Sequence, residues 1–189
     1  MECKVINWYK LIVMLNLNEL IFWKIHILAG QYQWLDLLIE FFAVYSGYVL
    51  IGVVLCLVIF RSSPRKRLMF LEAVASAILS RLVITEIIRA FYHHPRPFAA
   101  LANVANTINE SGWSFPSGHA ALYFALATAV WFYNRKFGVV FCGVAIVMGI
   151  ARVAVGAHWP LDIVGGIVVG IVSAIIVHHF ARKSFGKVT

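Results

Sequence analysis

The chain has 189 residues, of which 62% are hydrophobic and only 13% are charged, whereas roughly a quarter of the residues in soluble domains are charged. This composition excludes a soluble globular domain. It indicates one membrane-embedded domain covering residues 1–189, because a bilayer core of ~30 Å needs ~20 apolar residues per helix and the length allows five or six spans. The net charge of +8 does not indicate nucleic-acid binding, since the basic residues are grouped at the ends of apolar stretches.

The first apolar stretch, residues 5–30, mixes Lys10, Lys24 and His26 with leucine, isoleucine, phenylalanine and tryptophan. This mixture favours a helix that lies in the membrane interface, with a spanning helix as the alternative. We therefore expect five spans, or six if this stretch crosses the bilayer.

Five further apolar stretches predict spanning helices at 35–60, 68–92, 120–133, 138–156 and 161–180. The third is short, but Pro116, Ser117 and Gly118 could open it one turn earlier. The positive-inside rule assigns the basic clusters at the ends of the spans to the cytoplasm. Successive spans can then cross the membrane in alternating directions with every basic cluster on the cytoplasmic side. We predict an all-α, polytopic membrane helical bundle whose cytoplasmic clusters are Arg61, Arg65, Lys66 and Arg67, then Arg135 and Lys136, then Arg182, Lys183 and Lys187.

With this orientation, the loop 93–118 and the turn 157–160 lie on the extracytoplasmic side. Three polar stretches meet there, at 89–97, 116–119 and 152–162. Ionisable side chains at membrane depth are costly and usually mark a functional site. Three guanidinium groups beside two imidazoles favour a multiply anionic ligand, most simply phosphate.

His158 and Asp162 lie four residues apart, close to the predicted start of the last span. If Asp162 accepts the ring proton of His158, the other ring nitrogen is free to act as a nucleophile. The alternative is a carboxylate that caps the helix start beside an interfacial histidine. His119 follows Gly118 at another helix start, where it could act as a general acid beside a bound phosphate or be incidental.

The arginines can supply the electrostatic stabilisation on which phosphoryl transfer mainly depends. Interfacial snorkelling explains any one of Arg89, Arg96 and Arg152, but not the convergence of all three on two histidines. We expect neither a metal nor a cofactor, since no carboxylate cluster lies near these residues in the sequence. We expect a structural role for Arg81. Glu86 could either pair with a partner within the bundle or steady Arg89, three residues later.

Three motifs occur in order along the chain: Arg89-x6-Arg96-Pro97, Pro116-Ser117-Gly118-His119 and Arg152-x5-His158-x3-Asp162. They resemble the signature of the type 2 phosphatidic acid phosphatase superfamily, Lys-x6-Arg-Pro, Pro-Ser-Gly-His and Ser-Arg-x5-His-x3-Asp. The resemblance covers residues 89–162, and a three-part signature at these spacings is highly specific.

The resemblance implies a six-helix fold and a metal-independent phosphatase. In that family mechanism His158 would attack phosphorus to form a phosphohistidine, which water then cleaves. His119 would serve the leaving group, and Asp162 would orient His158. The phosphate-binding residues it implies are Arg89, Arg96, Ser117, Gly118 and Arg152.

Two positions depart from the family pattern. Arg89 replaces the usual lysine, which keeps the charge but changes a point donor into a planar fork. Ala151 stands where the family often has serine, which removes a hydrogen bond of roughly 0.5–1.5 kcal/mol. We expect an altered but functional site.

The small size and short loops resemble the bacterial undecaprenyl diphosphate phosphatases of this superfamily. The resemblance implies hydrolysis of undecaprenyl diphosphate to the monophosphate at the extracytoplasmic face of the bacterial inner membrane. Phosphatidylglycerophosphate, phosphatidic acid and lipid A phosphate are alternative substrates.

Apolar spans argue against a vanadate-dependent haloperoxidase, and the intact His119, His158 and Asp162 argue against a non-catalytic lipid-binding or transport protein. The expected partners are the lipid substrate and the bilayer, not nucleic acid, and the sequence does not indicate an oligomeric state.

Overall fold

The computed structural model describes residues 8–59, 63–105 and 107–185, and all regular elements in these ranges are helices. Helix α1 comprises Trp8–His26. Helix α2 runs through Gln33–Glu40, a π-helical turn at Phe41–Tyr45, and Ser46–Ile59. Helix α3 runs through Pro64–Ile78, a π-helical turn at Leu79–Ile84, and Thr85–Phe91. The remaining helices are α4 (Pro97–Ala100), α5 (Gly118–Tyr133), α6 (Arg135–Ala154) and α7 (Pro160–Phe185). The prediction of an all-α membrane bundle is confirmed.

Within the described residues, four helical stretches are long and apolar enough to cross a bilayer: Gln33–Val53, Pro64–Phe91, Arg135–Ala154 and Pro160–Ser184. Helix α5, predicted as the short third span, has 16 residues and begins after Ser117, whose hydroxyl accepts a hydrogen bond from the Ala120 N–H. It is largely buried, because α3, α6 and α7 pack around it. Helix α5 is therefore surrounded mainly by protein.

Helices α5 and α7 approach each other closely because glycines on α7 leave room for the backbone of α5. A Cβ atom at Gly166 would lie 2.5 Å from the Ser117 carbonyl oxygen, and one at Gly170 would overlap the carbonyl of Ala121. At the site end of this contact the Ser117 N–H donates to the Asp162 carbonyl at 2.9 Å. The second and third motifs are thus held together by backbone contact.

The described contacts of α1 lie at one end of the bundle. Phe22 is fully buried and packs against Trp159, and His26 Nδ1 lies 2.7 Å from the Ala154 carbonyl. Asn18 Oδ1 accepts a hydrogen bond from the Leu161 N–H at 3.0 Å. These partners lie where α6 ends and α7 begins, so the C-terminal part of α1 packs against that end of the bundle. Whether α1 lies in the interface or spans the membrane stays a prediction. The side chain of Lys10 lies outside the described residues.

The other end of the bundle carries the basic residues. Glu72 joins three helices there, because Tyr133 donates to its carboxylate at 2.6 Å and His178 Nδ1 lies 2.7 Å from the second oxygen. The helix ends that meet around it carry Arg65, Lys66, Arg67, Arg135, Lys136, Arg182 and Lys183. Arg61 and Lys187, which we predicted in the same clusters, lie outside the described residues.

Candidate active site

Three loops meet at the end of the bundle opposite the basic clusters, at residues 92–96, at 101–105 with 107–117, and at 155–159. The third loop turns at Gly156, which has φ 76°, a left-handed conformation that favours glycine. A Cβ atom there would also overlap Val104 of the second loop. This turn places His158 in a fully buried position, next to the helix start that carries Asp162.

The ring of His158 lies between a carboxylate and a guanidinium group. Its Nδ1 is 3.5 Å from Asp162 Oδ2 and 3.4 Å from the Ser114 hydroxyl. Its Nε2 is 3.3 Å from Arg96 Nη1. Because a guanidinium group only donates hydrogen bonds, Nε2 carries the lone pair and Nδ1 carries the proton. The nitrogen able to attack an electrophile therefore faces the arginine.

The environment of His158 keeps the imidazole neutral. Burial lowers its pKa from 6.5 to about 4, and the nearby Asp162 carboxylate opposes this shift only in part. Desolvation disfavours the charged form of a buried histidine. A nucleophilic imidazole must be neutral, so this protonation state suits the predicted role at neutral pH.

Asp162 is held by several donors besides His158. Its Oδ2 accepts hydrogen bonds from the Trp159 N–H at 2.7 Å and from the Ser114 hydroxyl. Its other oxygen lies 3.6 Å from His94 Nδ1. A carboxylate with these contacts is fixed in place, which suits the predicted role of Asp162 in orienting the ring of His158.

Arg96 connects two of the loops through backbone carbonyls. It donates to Gly112 and Ser111 of the second loop at 3.0 and 3.1 Å, and to Ala157 of the third loop at 2.9 Å. Burial lowers its pKa from 12.5 to about 10, so the group stays positively charged at neutral pH. Arg96 thus both shapes the site and supplies charge to it.

Glu110 bridges the two buried arginines. One carboxylate oxygen lies 2.5 Å from Arg152 Nη2, and the other lies 3.1 Å from Arg96 Nη2. Arg152 is only 1% exposed. Burial raises the pKa of Glu110, but the charges of Arg152 and Arg96 outweigh it and hold that pKa below its usual range. An anion therefore sits between these two guanidinium groups.

Arg89 lies against the loop that leads into α5. Its Nη2 donates to the Pro116 carbonyl at 3.0 Å, and its Nη1 lies 3.4 Å from Glu86 Oε1. The expected contact between Glu86 and Arg89 is therefore present. Arg89 Nε is buried and has no hydrogen-bond partner among the described residues.

His119 is the second residue of α5 and is partly buried. It lies close enough to Arg152, Glu110 and His158 for their charges to act on it. The start of α5 thus brings a second imidazole to the same cluster. Within the described residues, no group of three or more histidine, cysteine, aspartate or glutamate side chains is arranged to hold a metal ion.

The model of the PAP2 superfamily matches residues 70–185, which is more than half of the chain and contains all three motifs. The chain belongs to the PAP2 superfamily. This confirms the resemblance to the type 2 phosphatidic acid phosphatases that the motifs indicated.

Relatives of this PAP2 protein match most of its length. The bacitracin transport permease protein BcrC of Bacillus licheniformis is 32% identical over 171 residues, covering 89% of this chain and 82% of the relative. The undecaprenyl-diphosphatase BcrC of Bacillus subtilis is 28% identical over 167 residues, covering 87% and 84%. The crystal structure of Aquifex aeolicus LpxE aligns with a TM-score of 0.71 and 30% identity, covering 86% of this chain and 95% of that one. This PAP2 protein is an integral membrane phosphatase.

The PAP2 site contains residues that the motifs did not reveal. Ser114 and His94 contact Asp162, and Glu110 contacts two arginines. A signal for Glu110 was available, since it is the single acidic residue in the loop 93–118. No comparable signal marked Ser114 or His94. The structure brings the predicted residues of all three motifs to this end of the bundle, and their roles in catalysis and phosphate binding stay predictions.

Proposed function

We propose that this protein removes the terminal phosphate of a polyprenyl diphosphate, converting undecaprenyl diphosphate to the monophosphate through a phosphohistidine at His158. The observation that carries the proposal is the position of His158, whose Nδ1 faces Asp162 and whose Nε2 faces a buried guanidinium group. A neutral imidazole in this setting can attack phosphorus without a separate general base.

The chemistry takes two steps. A bond forms between His158 Nε2 and the terminal phosphorus, the bond from phosphorus to the bridging oxygen breaks, and His119 donates a proton to the departing lipid monophosphate. Water then attacks the phosphohistidine and gives its proton to His119. Inorganic phosphate leaves, and His158 returns to its neutral form.

In this proposal, the arginines and the start of α5 bind the phosphate. Arg89, Arg96 and Arg152 can neutralise the charge that spreads over the equatorial oxygens in the transition state. The N-terminus of α5, with Ser117 and Gly118, can donate N–H groups to an anion. Because these groups supply positive charge, the proposal includes a mechanism without a metal ion.

The substrate assignment is supported by a relative. The Bacillus subtilis protein that is 28% identical over most of both chains is named an undecaprenyl-diphosphatase. We place the active site on the extracytoplasmic side of the bacterial inner membrane, because the basic helix ends lie at the opposite end of the bundle.

The test is phosphate release from undecaprenyl diphosphate by the purified protein in detergent, with and without EDTA. We expect release that EDTA does not diminish, and we expect His158→Ala to lose at least about a thousandfold in rate, because the nucleophile is removed. His179→Ala is the matched control, since His179 is an exposed histidine at the other end of the bundle, and it should retain full activity.

Robust turnover by His158→Ala would exclude the proposed nucleophile. Strict dependence on magnesium would exclude the metal-free mechanism. Phosphate release from phosphatidylglycerophosphate, phosphatidic acid or lipid A phosphate in preference to the polyprenyl diphosphate would replace the substrate assignment. Binding of these lipids without release would instead favour a non-catalytic lipid-binding protein.

A further inference from the structure

Arg81 lies outside the three motifs but reaches the same site. It belongs to the π-helical turn of α3, and its side chain lies across the first residue of α5. A Cβ atom at Gly118 would be 2.5 Å from Arg81 Nε and 2.9 Å from its Cζ. The guanidinium group therefore occupies the space that the glycine of the second motif leaves open.

One carboxylate couples Arg81 to Arg89. Glu86 Oε1 lies 2.5 Å from Arg81 Nη1 and 3.4 Å from Arg89 Nη1. Two guanidinium groups share one carboxylate, which leaves a net positive charge on this trio. Among the described contacts, the hydrogen bonding of Arg81 uses only Nη1, and its side chain is 32% exposed. Donors on Arg81 are therefore open to an outside anion.

Arg81 approaches the site from the membrane side. It precedes Arg89 by eight residues on α3, so its Cα lies about 12 Å further from the site end of that helix. Its side chain must extend along the helix to reach Gly118. An arginine at membrane depth is costly unless it has a function or a partner.

The two phosphates of a lipid diphosphate differ in their distance from the bilayer. The phosphate bonded to the lipid must lie nearer the hydrocarbon, and the terminal phosphate extends away from it. When the terminal phosphorus faces His158, the lipid-linked phosphate lies on the membrane side of the cluster.

We propose that Arg81, coupled to Arg89 through Glu86, binds the lipid-linked phosphate and makes this site selective for diphosphate over monophosphate lipids. This inference rests on the proposed function and names the residue that would recognise the second phosphate. As the bridging bond breaks, negative charge builds on the lipid monophosphate, and Arg81 stabilises that charge. A lipid monophosphate offers nothing for Arg81 to bind.

The test compares a polyprenyl diphosphate with the polyprenyl monophosphate of the same chain length. For Arg81→Gln we expect kcat/KM on the diphosphate to fall roughly tenfold to a hundredfold, the effect of losing a charge-assisted hydrogen bond. On the monophosphate it should change by less than about threefold. Arg81→Lys keeps the charge and should recover part of the loss on the diphosphate.

A purely structural role for Arg81 would affect both substrates alike. Glu86→Gln shows what such an unselective effect looks like. Because Glu86 also contacts Arg89, its loss should slow hydrolysis of both the diphosphate and the monophosphate. If Arg81→Gln lowers both rates by the same factor, the inference is wrong.

Inhibition by methylenediphosphonate and by inorganic phosphate separates this inference from the proposed function. The assay measures phosphate release from any lipid phosphate that the protein hydrolyses. Methylenediphosphonate should inhibit wild type more strongly than inorganic phosphate does, whereas the two compounds should inhibit Arg81→Gln about equally. Wild type that does not turn over the polyprenyl diphosphate would refute the proposed function, whereas an unchanged inhibitor preference in the variant would refute the role of Arg81.

Discussion

Glu110 supplies the counter-charge for two guanidinium groups that are almost completely buried. Its two oxygens contact Arg96 and Arg152 separately. Buried cations without a partner are strongly destabilising, so the Glu110 carboxylate stabilises the folded protein when no substrate is bound. Two oxygens of a phosphate could make the same contacts, and we therefore expect substrate and Glu110 to compete for the arginines.

Replacing Glu110 by glutamine should lower stability and strengthen anion binding. The change removes the charge that balances Arg96 and Arg152, and leaving one side of a buried ion pair typically costs about 3–5 kcal/mol. Added phosphate or vanadate should then raise the Tm of Glu110→Gln by more than it raises the Tm of wild type. Thermal unfolding in detergent, with and without the anions, measures both effects.

Glu40→Gln is the control for this experiment, because Glu40 is an exposed carboxylate at the same end of the bundle. It should leave both the Tm and the anion effect close to the wild-type values. An anion-induced shift in Glu110→Gln no larger than that of wild type would show that Glu110 does not compete with phosphate.

At the level of the helices, the contact between α5 and α7 decides where two motifs lie. The Asp162 carbonyl at the start of α7 accepts the Ser117 N–H, and this bond requires the close approach that Gly166 allows. Small residues let helix backbones approach each other inside a membrane. The geometry of the site thus depends on a glycine that contacts no substrate.

A methyl group at Gly166 should disturb this contact. In Gly166→Ala the new Cβ would meet the Ser117 carbonyl oxygen at 2.5 Å and the Ala120 Cβ at 2.7 Å, and overpacking of this kind costs typically 1–3 kcal/mol. We expect a lower Tm and reduced phosphatase activity. Gly143→Ala, on an exposed face of α6 with nothing within 4 Å of the new Cβ, should be neutral or slightly stabilising. Equal Tm values for the two variants would contradict the role assigned to Gly166.

The π-helical turn of α3 is a second feature of the helices that affects the direction of a side chain near the site. It inserts an irregular stretch at Leu79–Ile84, between the half of the helix that carries the basic residues Arg65, Lys66 and Arg67 and the half that carries Arg89. Such turns are rare and often occur near functional sites. Because the turn alters the rotation of the helix, a regular 3.6-residue pattern does not predict which way Arg81 faces.

Across the whole molecule, charge is separated between the two ends of the bundle. The basic helix ends gather around Glu72, Tyr133 and His178, and the three family motifs gather at the opposite end. Lysine and arginine are retained on the cytoplasmic side of membrane proteins. This distribution is the physical basis for the proposed orientation.

Cysteine labelling tests that orientation. In a background with Cys3, Cys56 and Cys142 replaced by serine, Trp113→Cys should react with a membrane-impermeant maleimide added to intact spheroplasts, because Trp113 is an exposed residue of the site loop. Lys136→Cys, at the start of α6, should react only after the membrane is permeabilised. The reverse labelling pattern would mean that the active site faces the cytoplasm.

The sequence by itself determined the class of fold, the family and the clustering of the motifs. Apolar length and basic helix ends are local properties, and they predicted the four stretches that are long and apolar enough to span. The fifth predicted span, 120–133, is the shorter and largely buried helix α5. The family signature is also local, since its three spacings are read directly from the chain. Alternation of the spans then brought Arg89, His119 and His158 to one end without any knowledge of packing.

Only the tertiary structure decided which residues complete the site. Glu110 meets Arg152 across 42 positions of the chain, and Ser114 meets Asp162 across 48, so neither contact has a periodicity that a sequence pattern could reveal. Arg81 reaches Gly118 because of an irregular turn in one helix and a missing side chain on another. Such contacts depend on the paths of loops and on close helix packing, which are set by the fold as a whole.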